Sequence, residues 1–547
     1  MLGSVALYWH TLRHLKPIQF YGRVWHRLSR PKLVFQLALA TRHVTGCWVA
    51  VPQRCASLIG PGQFIFLGVC GSLVDDGWNG PQKDQLWRYN QHYFDDLNAL
   101  GAKDRAKWHV VLMNDWIQQN PLAHGVGWES YPTSLRIVNW IKWRLVGNEL
   151  SEACLQSLPV QAQWLSKRLE WHLLGNHLFA NAKALVFAGL AFQGEEAQYW
   201  LDTGLSIIER ELSEQVLPDG GNFERSTMYH AIFLEDLLDL INAAQAYSGS
   251  ISVSCLSQWK TIAARMLTWL EGMTHPDGDL SFFNDAAIGI APTLAELFAY
   301  AACLECSVSV SALAGDLGLK EWPHSGYVRL EQNDAVALLD LAPIGPDYLP
   351  GHAHADTLSF ELSLFGQRML VNGGTSCYGL GTKRIRERQT VSHSTVEVDN
   401  ESSSEVWGSF RVARRAYPFD LSIERTSDFI TVSCSHDGYK RLPGEPVHRR
   451  CWHMARGTLL VTDTVVGRYK QAVARYIFHP MVRVENALRE SMLLILPQGE
   501  QVILKILSGF GRFEVASYSP EFGMVLDTQC LAVELRNGRA TVQLKWN

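Results

Sequence analysis

The stretch MYHAIFLEDLLDLINAAQAY, residues 228–247, decides the architecture of the first part of the chain. Its apolar residues recur at intervals of three and four, which is the spacing of one face of an α-helix. Similar stretches follow one another from about residue 105 to residue 310, and the breaks between them, such as LPDGGNF and HPDGD, are typical of turns. Helices spaced about 25 residues apart predict paired hairpins wound into a toroid or a solenoid.

The spacing of the apolar residues changes to two after about residue 325, close to the segment LKEWPHSG (319–326). Segments such as TLSFELSLF (357–365) and GTLLVTDTVV (457–466) alternate or are rich in β-branched residues, and Gly, Asn, Asp and Pro separate them. This pattern predicts a second half built of β-strands, arranged as a sandwich. The expected fold class is therefore α + β, in two blocks.

The composition excludes several classes of protein. Hydrophobic residues make up 47% of the 547 residues and charged residues 19%, so the chain is not intrinsically disordered. Lys and Arg number 49 against 54 Asp and Glu, and this balance argues against a nucleic-acid-binding protein that acts through a global positive field. No apolar run reaches the roughly 18–20 residues of a membrane-spanning helix.

The first residues bear on location. They lack a basic stretch ahead of their short apolar run, so we expect no cleavable signal peptide and a cytoplasmic protein. Residues 1–50 carry seven Lys and Arg and no Asp or Glu. This segment either lies across the body with solvated charges or contacts an anionic membrane surface. We favour the first interpretation, because the apolar positions are not cleanly segregated.

Two clusters of polar residues stand where helices are expected to start. Asn176 and His177 open an otherwise apolar helix, and Tyr229 follows a Gly-Gly break. Capping of the helix is an equally good explanation for the Asn on spacing alone. Tyr229 could likewise be a core aromatic residue.

Two further clusters contain His residues at the start of predicted strands. His352, His354 and Asp356 alternate, so the two imidazoles point to the same face of a strand. His393 opens another strand, and with His354 it could hold a metal ion, although His-x-His is a common pattern. No phosphate-binding Gly loop, HExxH or GxSxG motif occurs in a convincing context, which disfavours nucleotide-binding proteins and serine hydrolases.

In their order along the chain, these clusters resemble the heparinase II/III-like family of polysaccharide lyases. The ordered segments that carry the resemblance are LWRYNQHYFDDL (86–97), WESYPTSLRIVNW (128–140), Asn176-His177, DGGNFERSTMY (219–229), FND (283–285), HAHADTLSF (352–360), LVNGG (370–374), HSTV (393–396) and GSFR (408–411). The resemblance implies an incomplete α/α toroid followed by an antiparallel β-sandwich. We expect a basic N-terminal segment packed on the body (1–80), a toroid (81–322) and a sandwich (323–547).

Members of this family cleave uronate-containing glycans by β-elimination. One group removes the proton on C5 of the uronate while another protonates the departing O4, and hydrogen-bond donors stabilise the enolate-like intermediate. The resemblance implies that Asn176, with His177 beside it, binds the carboxylate. It implies that Tyr229 is the acid and a candidate base, and that His352 is the other base or charge neutraliser.

The resemblance also suggests substrate contacts and a metal site. Carboxylate or sulfate groups could be bound by charged and polar residues of the matched segments, Arg136, Asn139, Glu224, Arg225 and Arg411. Relatives hold a metal at the places of His354, Asn372 and His393. Because Asn372 replaces an Asp, its neutral oxygen supplies less charge to the ion. We expect a weak or empty site, at most a structural Zn or Ca, and no required cofactor; Asp356 is a substitute ligand.

Three functions fit this reading. The first is a lyase acting on an anionic polysaccharide or oligosaccharide, in a role beside bacterial surface-polysaccharide biosynthesis and peripheral to the inner membrane. The second is a uronate C5 epimerase on the same fold, which returns a proton to C5 and leaves the chain intact. The third is a non-catalytic glycan-binding protein, which joint retention of Asn176, Tyr229 and His352 disfavours.

Overall fold

The computed structural model describes residues 2–29, 31, 39–306, 318–485 and 491–546. The helices of these ranges are α1 Leu2–Leu12, α2 Pro17–Leu28, α3 Leu73–Asp76, α4 Gln85–Tyr93, α5 Ala106–Gln119, α6 Ser130–Leu145, α7 Glu152–Ser166, α8 Gly175–Ala191, α9 Glu195–Gln215, α10 Thr227–Ala246, α11 Val253–Gly272, α12 Leu294–Cys303 and α13 Thr382–Arg388.

The strands of the same ranges are β1 Leu58–Gly60, β2 Gln63–Phe66, β3 Val69–Ser72, β4 Gly318–Trp322, β5 Tyr327–Gln332, β6 Ala335–Asp340, β7 Phe360–Leu364, β8 Gln367–Leu370, β9 Val396–Val398, β10 Val406–Trp407, β11 Arg411–Val412, β12 Pro418–Arg425, β13 Phe429–His436, β14 Val447–Ala455, β15 Thr458–Val466, β16 Ala472–Ile477, β17 Arg483–Glu485, β18 Ser491–Ile495, β19 Gln501–Ser508, β20 Phe510–Tyr518, β21 Leu526–Glu534 and β22 Arg539–Trp546.

The helices from α4 to α12 form two layers. The even-numbered helices form the inner row, in which each helix packs against the next in the order α4, α6, α8, α10 and α12. Helix α9 packs on α8 as its hairpin partner, and α11 packs on α10 in the same way. Helix α8 is buried almost throughout, because its residues are apolar on every side. The outer helix α9 buries one face and exposes charged residues on the other. This arrangement confirms the predicted α/α toroid.

The second half consists mainly of three antiparallel sheets. Their strand orders are β12-β13-β14-β15-β22-β19-β18-β17, β20-β21-β16-β9 and β4-β5-β6-β7-β8. The eight-stranded sheet packs on the other two around one apolar core. Trp452 of β14, for example, meets Phe360 of β7 with ring centroids 6.3 Å apart. The alternating burial along β14 and β15 shows one face toward this core, so the predicted sandwich is confirmed.

Strand β6 is shared by the two halves of the molecule. All six of its residues are buried. Ala335, Ala337 and Leu339 belong to the sandwich core, whereas Val336 and Leu338 belong to the core of the toroid. Because side chains alternate across a strand, the sheet that contains β6 can serve as the wall between both cores. The candidate site lies at this junction.

Candidate active site

Tyr229 lies in the first turn of α10, at the junction of toroid and sandwich. The Ser226 hydroxyl accepts a hydrogen bond from the main-chain N–H of Tyr229 at 3.1 Å and caps the helix. The phenol ring lies against the imidazole of His352, with centroids 3.8 Å apart and an angle of 31° between the planes. Its hydroxyl is 3.0 Å from that of Tyr378. Burial raises the pKa of Tyr229 well above 10, so the phenol carries its proton at neutral pH.

His352 is held by the buried carboxylate of Asp285. The imidazole Nδ1 lies 2.9 Å from Asp285 Oδ2, and Arg384 donates hydrogen bonds to both oxygens of the same carboxylate. Burial alone would raise the pKa of Asp285, but the charge of Arg384 and the hydrogen bonds of His352 and His354 together outweigh burial and hold the pKa well below its usual range. An ionised Asp285 can only accept, so His352 donates its Nδ1 proton to it and directs Nε2 away from the carboxylate.

Asn176 and His177 begin α8 on the other side of the pocket. The backbone before them is left-handed, with φ of 64° at Leu174 and 54° at Gly175. The Asn176 amide hydrogen-bonds to no residue that the structure describes, so it is not the helix cap. It lines a pocket together with Tyr229 and Glu224. Free donors beside a buried phenol are suited to binding a carboxylate.

His177 is paired with a carboxylate of the toroid. Its Nδ1 lies 3.2 Å from Glu170 Oε1, and its ring stacks on Tyr131 with centroids 4.5 Å apart. Burial alone would lower the pKa of His177, but the charge and hydrogen bond of Glu170, with smaller contributions from the charges of Glu224 and Glu129, together outweigh burial, and the pKa is raised. The pair therefore places an imidazole that gains a proton readily beside Asn176.

Glu224 is a buried carboxylate directed into the pocket. Its Oε2 has no hydrogen-bond partner among the described residues and lies 3.7 Å from His352 Nε2. Burial raises the pKa of Glu224. A polar atom of this kind is costly to bury without a partner, which indicates that a ligand or a solvent molecule satisfies it. The predicted substrate contact of Glu224 stays a prediction.

Arg136 does not reach the pocket, and its predicted role in substrate binding is wrong. The guanidinium is fully buried in the toroid, where it donates to Gln161 Oε1 at 2.9 Å and to the Gly127 carbonyl at 2.8 Å. It also lies 3.8 Å from the centre of the Trp116 ring. These contacts occupy the group that would have bound a carboxylate or a sulfate.

Arg225 and Asn139 are also held by the protein itself. Arg225 donates to the carbonyls of Ser325 and Pro343 at 3.0 and 3.1 Å, so it joins the toroid to the sheet half. Asn139 is buried and donates to the Tyr93 carbonyl at 2.9 Å. Both substrate contacts are corrected to structural ones. Arg411 is exposed and stacks on Trp407 at 4.8 Å, and its substrate contact stays a prediction.

Three residues of the site had no predicted role. Asp285 stood in one of the matched segments without one, and Tyr378 and Arg384 were not singled out. The basic sequence TKRIRER around Arg384 is typical of a solvated helix, yet Arg384 is buried on Asp285. Positions 285, 352 and 384 are far apart along the chain, and only the fold brings them together. The local spacing of residues in the sequence therefore does not reveal their contact.

The predicted metal ligands form a hydrogen-bonded chain. His354 Nδ1 lies 3.0 Å from His393 Nε2, and His354 Nε2 lies 2.8 Å from Asp285 Oδ1. The Asn372 side-chain oxygen accepts from the Ser394 N–H at 3.0 Å. Within the described ranges, no group of three or more His, Cys, Asp and Glu could hold a metal ion. The weak structural metal at His354, Asn372 and His393 stays a prediction.

Comparison with known proteins gives matches over most of the chain. The model of the Heparinase II/III N-terminus matches residues 82–303, and that of the Heparinase II/III-like C-terminal region matches residues 314–546. A heparin-sulfate lyase of Pedobacter heparinus is 24% identical over 336 residues, which cover 56% of this chain and 50% of that protein. The FtsZ-localized protein C of Caulobacter vibrioides is 24% identical over 70% of this chain and 64% of its own length.

Solved structures show the same fold. A crystal structure of heparinase III has a TM-score of 0.68 at 17% identity and covers 87% of this chain and 80% of its own. A mutant of the heparan sulfate lyase HepC from Pedobacter heparinus has a TM-score of 0.60 at 19% identity and covers 89% and 81%. The chain spans about half the length of the curated heparin-sulfate lyases of Pedobacter heparinus and Bacteroides stercoris. It belongs to the heparinase II/III-like family.

Proposed function

We propose that this protein is a polysaccharide lyase that cleaves a uronate-containing glycan by β-elimination. The observation that carries the proposal is the contact of the Tyr229 phenol with the His352 imidazole, 3.8 Å between ring centroids, at a pocket lined by the unengaged amide of Asn176. A proton donor, a basic nitrogen and a carboxylate-binding amide are the three groups that the reaction needs. Membership of the heparinase II/III-like family supports the same reaction class.

In the proposed first step, the uronate carboxylate binds at Asn176. Hydrogen bonds from the amide withdraw charge from the carboxylate, which acidifies the proton on C5 and stabilises the enolate-like intermediate. His177 adds a positive charge nearby when it is protonated, and Glu170 favours that state. Asn176 and His177 thus act on the ground and intermediate states without exchanging the reacting protons.

In the second step, two protons move. His352 Nε2 takes the proton from C5, since the ionised Asp285 holds the other ring nitrogen as a donor. Tyr229 gives its proton to O4 as the C4–O4 bond breaks, because a buried phenol with a raised pKa is protonated before the reaction. The products are a glycan that keeps the protonated glycosidic oxygen as its new reducing-end hydroxyl and a uronate with a C4=C5 double bond.

The pocket favours a uronate with little or no sulfate. Its described lining contains no Lys or Arg and consists of neutral side chains and two carboxylates, Tyr131, Asn176, Gln215, Asn222, Glu224, Tyr229, Ile232, Phe233 and Asp236. Lys183 neutralises Asp236 at 2.6 Å, which leaves Glu224 as the carboxyl group whose Oε2 has no hydrogen-bond partner among the described residues. A sulfate group placed here would meet no Lys or Arg of the described lining and would lie beside the carboxyl group of Glu224, which disfavours it.

A screen of uronate polymers tests the reaction. The panel contains heparan sulfate, its desulfated backbone, alginate and hyaluronan, and the readout is ultraviolet absorbance of the new double bond. We expect absorbance to rise with at least one polymer and to rise faster with the desulfated than with the sulfated backbone. No absorbance with any uronate polymer, together with exchange of solvent isotope at C5, would replace the lyase by an epimerase.

We further propose that the protein works in the cytoplasm beside the inner membrane, on glycans of surface-polysaccharide biosynthesis. The basic composition of residues 1–50 supports this location. Fractionation of cells that produce the full chain tests it, and recovery of the protein outside the cytoplasm and the inner-membrane fraction would contradict it.

A further inference from the structure

The first helix exposes a continuous apolar stripe. Four residues at the spacing i, i+3, i+4 and i+7 of α1 are 40–67% exposed, namely Val5, Tyr8, Trp9 and Leu12. This spacing places all four on one side of the helix. A surface helix of a globular protein normally places such a stripe against its own core.

The second helix repeats the pattern. Its exposed stripe has the same spacing and is 59–73% exposed, with the residues Tyr21, Val24, Trp25 and Leu28. The side of α2 toward the body is polar or small: Gln19 donates to the Tyr348 carbonyl at 3.1 Å, and Gly22 packs on His172. The expectation that apolar positions are not segregated is therefore wrong for α2, which faces the body with its polar side, whereas α1 also carries apolar residues such as Leu7 away from its stripe.

The charges beside these stripes have one sign. Arg13, Arg23 and Arg27 are exposed, and residues 1–50 contain no Asp or Glu, although the whole chain carries a net charge of −5. Trp and Tyr, which contribute to both stripes, have ring systems that favour the interface between lipid and water. Among the described residues, no helix has the length and apolar character needed to span a bilayer.

We propose that α1 and α2 are an interfacial anchor whose apolar stripes insert into the headgroup region of an anionic lipid bilayer. The stripes provide buried apolar area, and the arginines provide attraction to the acidic headgroups. A second copy of the chain fits less well, because it would bring two segments of the same positive charge together. This proposal does not depend on the reaction that the cleft catalyses.

Vesicle co-sedimentation of the full chain tests the anchor. The vesicles are phosphatidylcholine with or without phosphatidylglycerol, and the variant is the double substitution Trp9→Asp and Trp25→Asp. We expect the parent to bind the anionic vesicles and the variant to bind them at least about tenfold more weakly. The variant loses two aromatic rings from the lipid interface and gains two negative charges that the acidic headgroups repel. Thermal melts should be unchanged, because both side chains are exposed.

The matched control carries the same charge change elsewhere. Tyr199 on α9 and Val253 on α11 are 54% and 84% exposed, so Tyr199→Asp with Val253→Asp should leave vesicle binding unchanged. Equal loss of binding in both double variants would reduce the effect to net charge and overturn the anchor. A parent chain that binds neither vesicle would also overturn it, as would lipid-free dimerisation that the Trp9 and Trp25 substitutions abolish.

The arginines can be tested separately. Replacing Arg13, Arg23 and Arg27 by Gln should lower binding to anionic vesicles by about fivefold for each residue and reduce its dependence on salt. Cleavage of a soluble glycan should stay at the parent rate in every variant, so failure of the anchor and failure of the lyase assignment give different results. Unchanged binding and salt dependence would contradict an anionic partner.

Discussion

Two buried clusters of this protein have almost the same chemistry in different places. In the Asp463 cluster, inside the sandwich, Asp463 accepts from Arg450 at 2.7 and 3.0 Å and lies 2.8 Å from His448, which lies 3.2 Å from His436. The Asp285 cluster, at the junction of the two halves, repeats this order of groups with Arg384, His354 and His393 at similar distances.

The two clusters differ in one added imidazole. Asp285 also holds His352, whose side chain is 15% exposed and lies against Tyr229 of the pocket, whereas every titratable group of the Asp463 cluster is enclosed. In both clusters burial raises the pKa of the Asp, but the charge of the Arg and the hydrogen bonds of the neighbouring His together outweigh burial and lower the pKa, to about 2 for Asp463. A buried Asp–Arg–His network is therefore a structural device in this fold, and access to the pocket is what makes one of them a candidate for catalysis.

The comparison also bears on the metal. The contact of His354 with His393 has a counterpart in that of His448 with His436, where no metal ligand is predicted. Two imidazoles at hydrogen-bond distance thus occur here as links in a chain that starts at a carboxylate. The contact alone does not indicate a metal ion.

Tyr229→Phe should produce the largest change in activity. The ring and its contact with His352 remain, but the group that gives a proton to O4 is lost. Turnover should fall by roughly 10²–10⁴, with little change in thermal stability or in glycan binding. Initial rates of double-bond formation and a melting curve measure both effects. Parent-rate activity in this variant would leave His352 as the principal catalytic candidate.

Asp285→Asn and Asp463→Asn break the comparison most directly. Each substitution leaves a buried Arg without its counter-charge, so each should lower the free energy of unfolding by about 3–5 kcal/mol. Only Asp285→Asn should also lower turnover, by about 10–100-fold, because His352 loses the acceptor that fixes its tautomer. Denaturant unfolding and rates corrected for the folded fraction separate the two effects.

The Asp463 variant is the control in this pair, because it destabilises the chain without touching the pocket. Equal loss of turnover in the two variants would mean that stability alone explains the effect. Asp285 would then lose its proposed part in the reaction.

Removal of metal ions should change little. Asn372 occupies the place of the expected Asp and is bonded to Ser394, so exhaustive chelation should leave most of the turnover and lower the melting temperature modestly at most. His393→Gln and His436→Gln should then behave alike, as losses of a buried hydrogen bond. Tightly held, stoichiometric zinc whose removal abolishes turnover would contradict this expectation.

Glu170→Gln should have the smallest effect, visible as a pH dependence. The pair raises the pKa of His177 above its ordinary 6.5 and lowers that of Glu170 below 4.5, so its contribution to stability is complete between about pH 4.5 and 6.5. It is lost as the pH rises through the folded pKa of His177 or falls through that of Glu170. The variant should lose this contribution inside the window and the accompanying loss of stability on either side of it, and NMR titration should show a lowered pKa of His177.

The sequence was sufficient for the order of the two halves. Apolar residues recur at three and four up to about residue 310 and at two afterwards, because the side chains of helices and strands point in different directions. In the structure, the toroid helices run to Cys303 and the strands of the second half begin at Gly318. Apolar spacing does not fix the exact limits of the domains, so the predicted domain limits at residues 80 and 322 stay predictions. Residues 307–317, next to the second limit, lie outside the described ranges.

The site could be predicted only in part, for a reason of distance along the chain. Asn176, Tyr229 and His352 stand in distinctive segments, and the structure places Tyr229 against His352 and Asn176 in the same pocket. Arg136 has the charge that a substrate contact needs, but it lies in the core of the toroid. The sequence does not show which face of a helix an Arg occupies, because that depends on packing. Arg384 had no local signal, because its partner lies 99 residues away along the chain.

The shared strand β6 has a consequence for synthesis of the protein. Val336 and Leu338 complete the core of the toroid, yet the ribosome makes them after every toroid helix from α4 to α12. During that interval the nascent toroid exposes an apolar face that its own sequence cannot cover. We therefore expect a fragment that ends near residue 310 to aggregate or to bind chaperones, and the two halves to be made productively only as one chain.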